Sequence, residues 1–172
     1  MKHLVLVGLP GSGKTTLGRA VAGQLALPFL DFDEEIERRT GLSPAAFFRE
    51  HGEAAFRAQE LVLSRELGAR HTIVVAPGGG WITQEAALDA LRPYAVLVYL
   101  QVSPAVAAVR LGPDVQSRPL LAGGDPVGVL RRLLAEREPL YATADHALNT
   151  EAVDIQGLTK QIAGLCSIKS GG

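Results

Sequence analysis

At 172 residues, with 47% hydrophobic and 20% charged side chains, the chain has the balance of one ordinary globular domain, which excludes wholesale disorder and any need for disulfides or a structural metal. A formal net charge of -1 leaves no basic surplus for nucleic-acid phosphates, so no nucleic-acid partner is expected and anionic ligands must be met by local arginines. The single Cys166 forms no internal disulfide, and no apolar run approaches the roughly 20 residues of a membrane span, so a cytoplasmic protein without a membrane partner is expected.

Leu4 to Val7 is a short apolar run ended by glycine, and after Lys14 the residues Leu17, Val21 and Leu25 share one helical face: strand, loop, helix. Phe29-Leu30 predicts a second strand leading into Asp31-Phe32-Asp33, with polar helical sequence following to Gly41. Ser43-Pro44 supplies an N-cap and a first-turn proline for a short helix that Gly52 closes. Phe56, Leu63 and Leu67 recur at helical spacing from Glu53 onward, and Thr72 to Ala76 returns to a β-branched run that Gly78-Gly79-Gly80 breaks. A helix capped by Thr83 is expected to run to Leu91, where Pro93 stops it. Ala95 to Leu100 reads as a buried strand, and Ser103-Pro104 starts a helix that Gly112 ends.

Gly112 to Asp125 has no consistent period, carries three glycines and two prolines, and reads as a mobile loop. Asp125-Pro126 caps a long helix toward Tyr141. A weak strand near His146 to Leu148 and a helix to about Leu165 follow, leaving residues 167–172 as a loose tail on a single domain spanning 1–166. Strands alternating with helices throughout indicate an α/β fold, a parallel sheet covered on both faces.

The strongest chemical signal is Gly8-Leu9-Pro10-Gly11-Ser12-Gly13-Lys14-Thr15, a phosphate-cradling loop between an expected strand and an expected helix. Its glycines let consecutive N–H groups turn toward one anion, and the helix N-terminus adds its dipole. Lys14 supplies a point charge to the β- and γ-phosphates, and the Thr15 hydroxyl suits Mg²⁺. By chance such a pattern arises in on the order of one per cent of chains this long, and the strand–helix context reduces that further.

In open parallel sheets, ligands bind beyond the carboxyl ends of the strands. The second strand delivers Asp31 and Asp33, which on extended chain would point to the same side, one for magnesium and one for an acceptor hydroxyl. The alternative is a helix N-cap with an acidic first turn. Arg57 and Glu60 stand three apart on one helix, so the carboxylate can hold the guanidinium, although a surface ion pair would look the same. Gly78-Gly79-Gly80 gives backbone that a ligand can approach closely; unaided, it is a tight turn.

Taken together, Gly8 to Thr16, Asp31-x-Asp33, Gly52-Glu53 with Phe56-Arg57, Gly78-Gly79-Gly80, Arg118-Pro119-Leu120 and Arg137-x-Pro139-Leu140-Tyr141 resemble the shikimate kinase family, in order and spacing, as far as about Asp145. The resemblance implies a P-loop NTPase-type sandwich on a five-stranded parallel sheet, with a mobile lid at about 112–125. It also implies transfer of the γ-phosphoryl group of ATP to the 3-hydroxyl of shikimate, with Mg²⁺, by a monomer. Gly11, Ser12, Gly13, Lys14, Thr15 and Thr16 would cradle the nucleotide, Arg110 would lie against adenine, and Thr15 and Asp31 would serve the metal. Asp33 would bind the acceptor hydroxyl. Arg57 and Arg137, with Gly78, Gly79 and Gly80, would hold the substrate carboxylate, Phe48 and Phe56 would wall its pocket, and Arg118 would close over the phosphates. Two guanidinium forks suit a small carboxylic acid, and phosphoryl transfer needs mainly alignment and charge neutralisation.

The chain departs from the family pattern at Ala76-Pro77 before the triple glycine, at Trp81 after it, and at Asn149 to Asp154, where relatives often place basic residues and a proline by the adenine. His3, His51, His71 and His146 have no metal-ligand spacing. Competing readings are a related kinase acting on gluconate, and a non-catalytic ligand-sensing domain of the same fold. The two arginines with the triple glycine favour shikimate. Sensors of that kind carry a DNA-binding region ahead of the domain, whereas here the first expected strand begins at Leu4.

Overall fold

The computed structural model describes residues 1–118 and 120–167. In chain order the strands are β1 (His3–Val7), β2 (Phe29–Asp31), β3 (Val74–Ala76), β4 (Ala95–Gln101) and β5 (His146–Asn149). The helices are α1 (Lys14–Leu25), α2 (Phe32–Thr40), α3 (Pro44–Leu67), α4 (Glu85–Leu91), α5 (Pro104–Leu111), α6 (Pro126–Tyr141) and α7 (Ile155–Ser167).

All strand pairs are parallel, in the order β2-β3-β1-β4-β5. β1 lies at the centre and is buried along its length, which is why it reads as an unbroken apolar run. Alternation along β1 divides the core between the sheet's two faces. Leu4 and Leu6 pack with Leu17 and Val21 of α1 and Leu158 and Ile162 of α7. Val5 and Val7 join Phe32, Phe56, Leu63, Leu91 and Leu130 from α2, α3, α4 and α6. Between β3 and β4 the chain crosses from one side of β1 to the other, so a crevice opens at the carboxyl end of β1, where the phosphate loop follows.

Local signals act as their chemistry dictates at most helix starts. Ser43, Ser103 and Asp125 each accept a backbone N–H through the side chain, and each precedes a first-turn proline. The two helices expected around Gly52 are both present within α3, which Gly52 divides at a kink with the non-helical φ 82° and ψ 171°.

Three expectations are corrected. Asp33 is not on extended chain: the strand ends at Asp31, which caps α2 by accepting the Glu34 N–H at 3.2 Å, and Asp33 sits in the first helical turn. Thr83 does not cap α4. It ends a 3₁₀ turn, Trp81–Thr83, and its hydroxyl donates to Gly80 O at 2.6 Å, while Gln84 holds the cap position. The segment read as irregular begins with a 3₁₀ helix, Gly112–Ser117, and pins Val115 and Leu121 in the core. Of the expected tail, Ser167 is the last residue of α7, and 168–172 lie outside the described residues.

Candidate active site

The carboxyl ends of β1, β2 and β3 converge on two adjoining cavities. The larger, about 1170 Å³, is lined by the phosphate loop from Gly11 to Thr16, by Asp31, and by Arg110 and residues 150–156 on its far side. The smaller, about 410 Å³, is lined by Phe48, Phe56, Arg57, Gly80 and Arg137. Asp33, Gly78, Gly79, Asp114 and Arg118 border both. A donor and an acceptor would meet at that border.

In the phosphate loop, Gly13 adopts φ 96° immediately before α1, which aims the free N–H groups of the helix start into the larger cavity. The Lys14 ammonium folds back onto the loop, donating to Gly8 O and Leu9 O at 2.8 Å each. Burial lowers its pKa to about 7, and the nearby Arg118 charge pushes the same way. An arriving phosphate therefore meets a lysine whose present partners are neutral carbonyls. Thr15 Oγ1 donates to Asp31 Oδ2 at 2.6 Å, so a hydroxyl and a carboxylate expected to serve one metal are in contact. Among the described residues no group of three His, Cys, Asp or Glu side chains converges as a metal cage.

Burial raises the Asp33 pKa, and the neighbouring Asp31 charge adds to the effect. A carboxyl that resists ionisation in this way accepts a proton more readily than an exposed aspartate does.

The Arg57 and Glu60 pair is not on the surface. Arg57 Nη1 bonds Glu60 Oε1, and Glu60 is fully buried. Its Oε2 has no partner among the described residues, and burial raises its pKa to about 7 despite the attraction of Arg57. Arg137 is 5% exposed.

The glycines of the triple lie progressively closer to these charged groups, in ordinary contact at Gly78 and tightest at Gly80. A Cβ built on Gly78 would lie 3.4 Å from Asp33 Oδ1 and 3.6 Å from Glu60 Oε2. On Gly79 it would lie 3.3 Å from Arg137 Nη1, and on Gly80 only 2.1 Å from Arg57 Nη2. None of the three has positive φ, so close approach, and not a special backbone conformation, accounts for the run.

The remaining expected residues fall as follows. Phe48 and Phe56 pack at 4.8 Å between centroids, with Phe56 buried behind the smaller cavity. Arg110 is held by Thr150, donating to its Oγ1 at 2.8 Å and its carbonyl at 3.0 Å, a tether between residues 40 apart that no local pattern marks. Arg118 lies on the border with its Nε buried and unpartnered among the described residues; Pro119 lies outside them. Trp81 faces away from both cavities, fully buried, its indole N–H donating to Ser64 Oγ at 2.8 Å. Pro77 does line the larger cavity. Asp114 and Leu121, which also border the smaller cavity, were missed because the segment around them has no period to read.

Comparison with known proteins gives a consistent picture. The family profile described as shikimate kinase matches residues 10–165. A shikimate kinase from Chromohalobacter salexigens is 44% identical over 149 residues, covering 86% of this chain and 82% of that protein. The structure of shikimate kinase from Acinetobacter baumannii in complex with shikimate superposes with a TM-score of 0.93 at 37% identity, covering 100% of this chain and 96% of that one. A gluconokinase from Sinorhizobium meliloti, at 22% identity and a TM-score of 0.61, shares the fold alone.

Proposed function

Since the chain belongs to the shikimate kinase family, whose members are ATP-dependent kinases, we propose how its own residues divide the transfer of the ATP γ-phosphoryl group to the 3-hydroxyl of shikimate. The observation that carries the assignment is the common border of the two cavities, with the phosphate loop on one side and two guanidinium groups on the other.

On the nucleotide side, the N–H groups of Gly11 to Thr16 cradle the phosphates, and Lys14 leaves its carbonyl partners for the β- and γ-phosphates. Arg110, held by Thr150, lies against the base. Thr15 and Asp31 fit Mg²⁺, because a hydroxyl and a carboxylate already in contact offer hard oxygen donors to an ion that keeps several waters and is completed by substrate phosphates. An ion held there would supply positive charge to offset that of the phosphates.

On the acceptor side, Arg57 and Arg137 grip the carboxylate together with the Gly79 and Gly80 backbone, and Phe48 and Phe56 wall the ring. That fixes the 3-hydroxyl beside Asp33, which orients it and, with its raised pKa, takes its proton as the bond to phosphorus forms. Arg118 reaches the border from a lid spanning 112–125 and adds positive charge where the phosphoryl group passes. Catalysis here is alignment and charge neutralisation more than covalent chemistry.

A single domain acting as a cytoplasmic monomer agrees with the one continuous sheet and the lone, buried Cys166. Among the described residues no helix is long and apolar enough to cross a membrane.

The test is a coupled ADP-release assay with shikimate, with gluconate and with no acceptor. Release should depend on shikimate, and Arg57→Ala or Arg137→Ala should raise the shikimate KM roughly 10- to 100-fold through loss of a charge-assisted bond while leaving the ATP KM in place. Equal turnover with gluconate would assign the acceptor wrongly, and equal losses for both substrates would place the arginines with the nucleotide.

A further inference from the structure

Tyr141 has no task in the chemistry above, yet it touches the backbone that borders the acceptor cavity. It is the last residue of α6, fully buried, and its ring stacks on Tyr99 of β4 with centroids 5.0 Å apart and planes 20° apart. Its hydroxyl donates to Gly79 O at 2.7 Å. Arg137 stands four residues earlier on the same face of α6, near enough for its positive charge to act on the phenol. Burial pushes the phenol pKa up and the Arg137 charge offsets this only in part, so at neutral pH the group remains a donor.

Every peptide bond among the described residues is trans, and in a trans peptide the C=O and N–H point to opposite sides. Holding Gly79 O against Tyr141 therefore turns the N–H of Gly80 the other way. Gly80 lines the smaller cavity, and no backbone carbonyl among the described residues takes its N–H.

We infer that Tyr141 is a positioning residue for the acceptor carboxylate: its one hydroxyl fixes the Gly79–Gly80 peptide so that the Gly80 N–H faces the carboxylate. Without that bond the peptide between two glycines is free to rotate, and the N–H is presented only part of the time. The stacked ring serves the hydroxyl by giving it one fixed place.

The proposal rests on the assignment of Arg57, Arg137 and Gly80 to the carboxylate, and the experiment keeps the two apart. Shikimate is compared with its analogue in which the carboxyl is reduced to hydroxymethyl, in the wild-type enzyme and in Tyr141→Phe, which retains the stacked ring. The measured quantity is the ratio of kcat/KM for the two acceptors, which does not depend on the fraction of enzyme that is folded. Wild type should prefer shikimate. In Tyr141→Phe the preference should fall roughly 3- to 10-fold, the value of one neutral hydrogen bond, through the shikimate KM, with the ATP KM unchanged. A phenol that merely filled the core would lower Tm and leave the ratio alone, and that result overturns the proposal. A wild-type enzyme indifferent to the carboxyl would instead overturn the carboxylate assignment beneath it, and this proposal with it.

Discussion

Replacing Gly80 by alanine should weaken acceptor binding sharply and, because the guanidinium it displaces is paired with the buried Glu60, lower stability as well. Gly80 has φ -89° and ψ -4°, a conformation any L-residue adopts, so the backbone opposes nothing. The added methyl would stand 2.1 Å from Arg57 Nη2 and 2.5 Å from its Cζ, far inside contact distance. Those atoms end a flexible side chain at the rim of the smaller cavity, so they can move aside, at the cost of loosening the pair with the buried Glu60. Moving them takes one guanidinium away from the carboxylate. A charge-assisted hydrogen bond is worth about 1.5–3 kcal/mol, which converts to a rise in the shikimate KM of roughly 10- to 100-fold.

The neighbouring glycines serve as graded controls. At Gly78 the nearest atom to a built Cβ is 3.4 Å away, an ordinary contact, and at Gly79 the nearest are Pro10 Cδ at 3.1 Å and Arg137 Nη1 at 3.3 Å. Steady-state kinetics on the three alanine variants, each with ATP and shikimate varied separately, should rank the shikimate defects Gly80, then Gly79, then Gly78, with similar ATP KM throughout. Near-normal shikimate KM in Gly80→Ala, or a Gly78→Ala defect as large, would refute the close-approach argument.

Two further outcomes are expected. Lys14 in the free protein has its pKa lowered to about 7 from 10.5, and phosphate charge should restore it, so ATP binding at pH 8 should take up about one proton on wild type. Calorimetry in buffers of different ionisation enthalpy reads this uptake, which should vanish in a folded Lys14→Ala variant along with nearly all turnover; uptake that persists would place the proton elsewhere. Amide exchange over 112–125 should slow when a nucleotide analogue and shikimate are both present, since a lid closes only over the complete site, and unchanged protection would count against closure.

The parts of this molecule that were legible in the sequence are those set by neighbours along the chain. The phosphate loop announces itself because its glycines, its lysine and its threonine act within eight residues. The central strands announce themselves because burial on both faces requires unbroken apolar runs. Ser103-Pro104 and Asp125-Pro126 mark helix starts because cap and first turn are adjacent. Local reading fails where two local signals compete. Asp31 closes a strand, caps α2 and meets Thr15 at once, so extrapolating the strand two residues further placed Asp33 on the wrong kind of backbone while still delivering it to the cavity.

The acceptor side was legible only by resemblance, and the reason is physical. The cavity proposed to take the carboxylate is lined from α3, from the turn after β3 and from α6, pieces that meet only after the sheet has formed. Nothing local distinguishes a buried Arg57–Glu60 pair from a solvated one, because the difference lies in what packs over it. The same holds for glycine. Gly13 announces its purpose through a left-handed φ before a helix, whereas Gly80 would pass for a tight turn until Arg57 is placed against it. Burying Glu60 with one oxygen unpartnered costs stability that no local propensity returns. Such a cost is tolerated where it holds a guanidinium in one position, and a carboxylate ligand anchored at two guanidinium groups gains from each being fixed before it arrives.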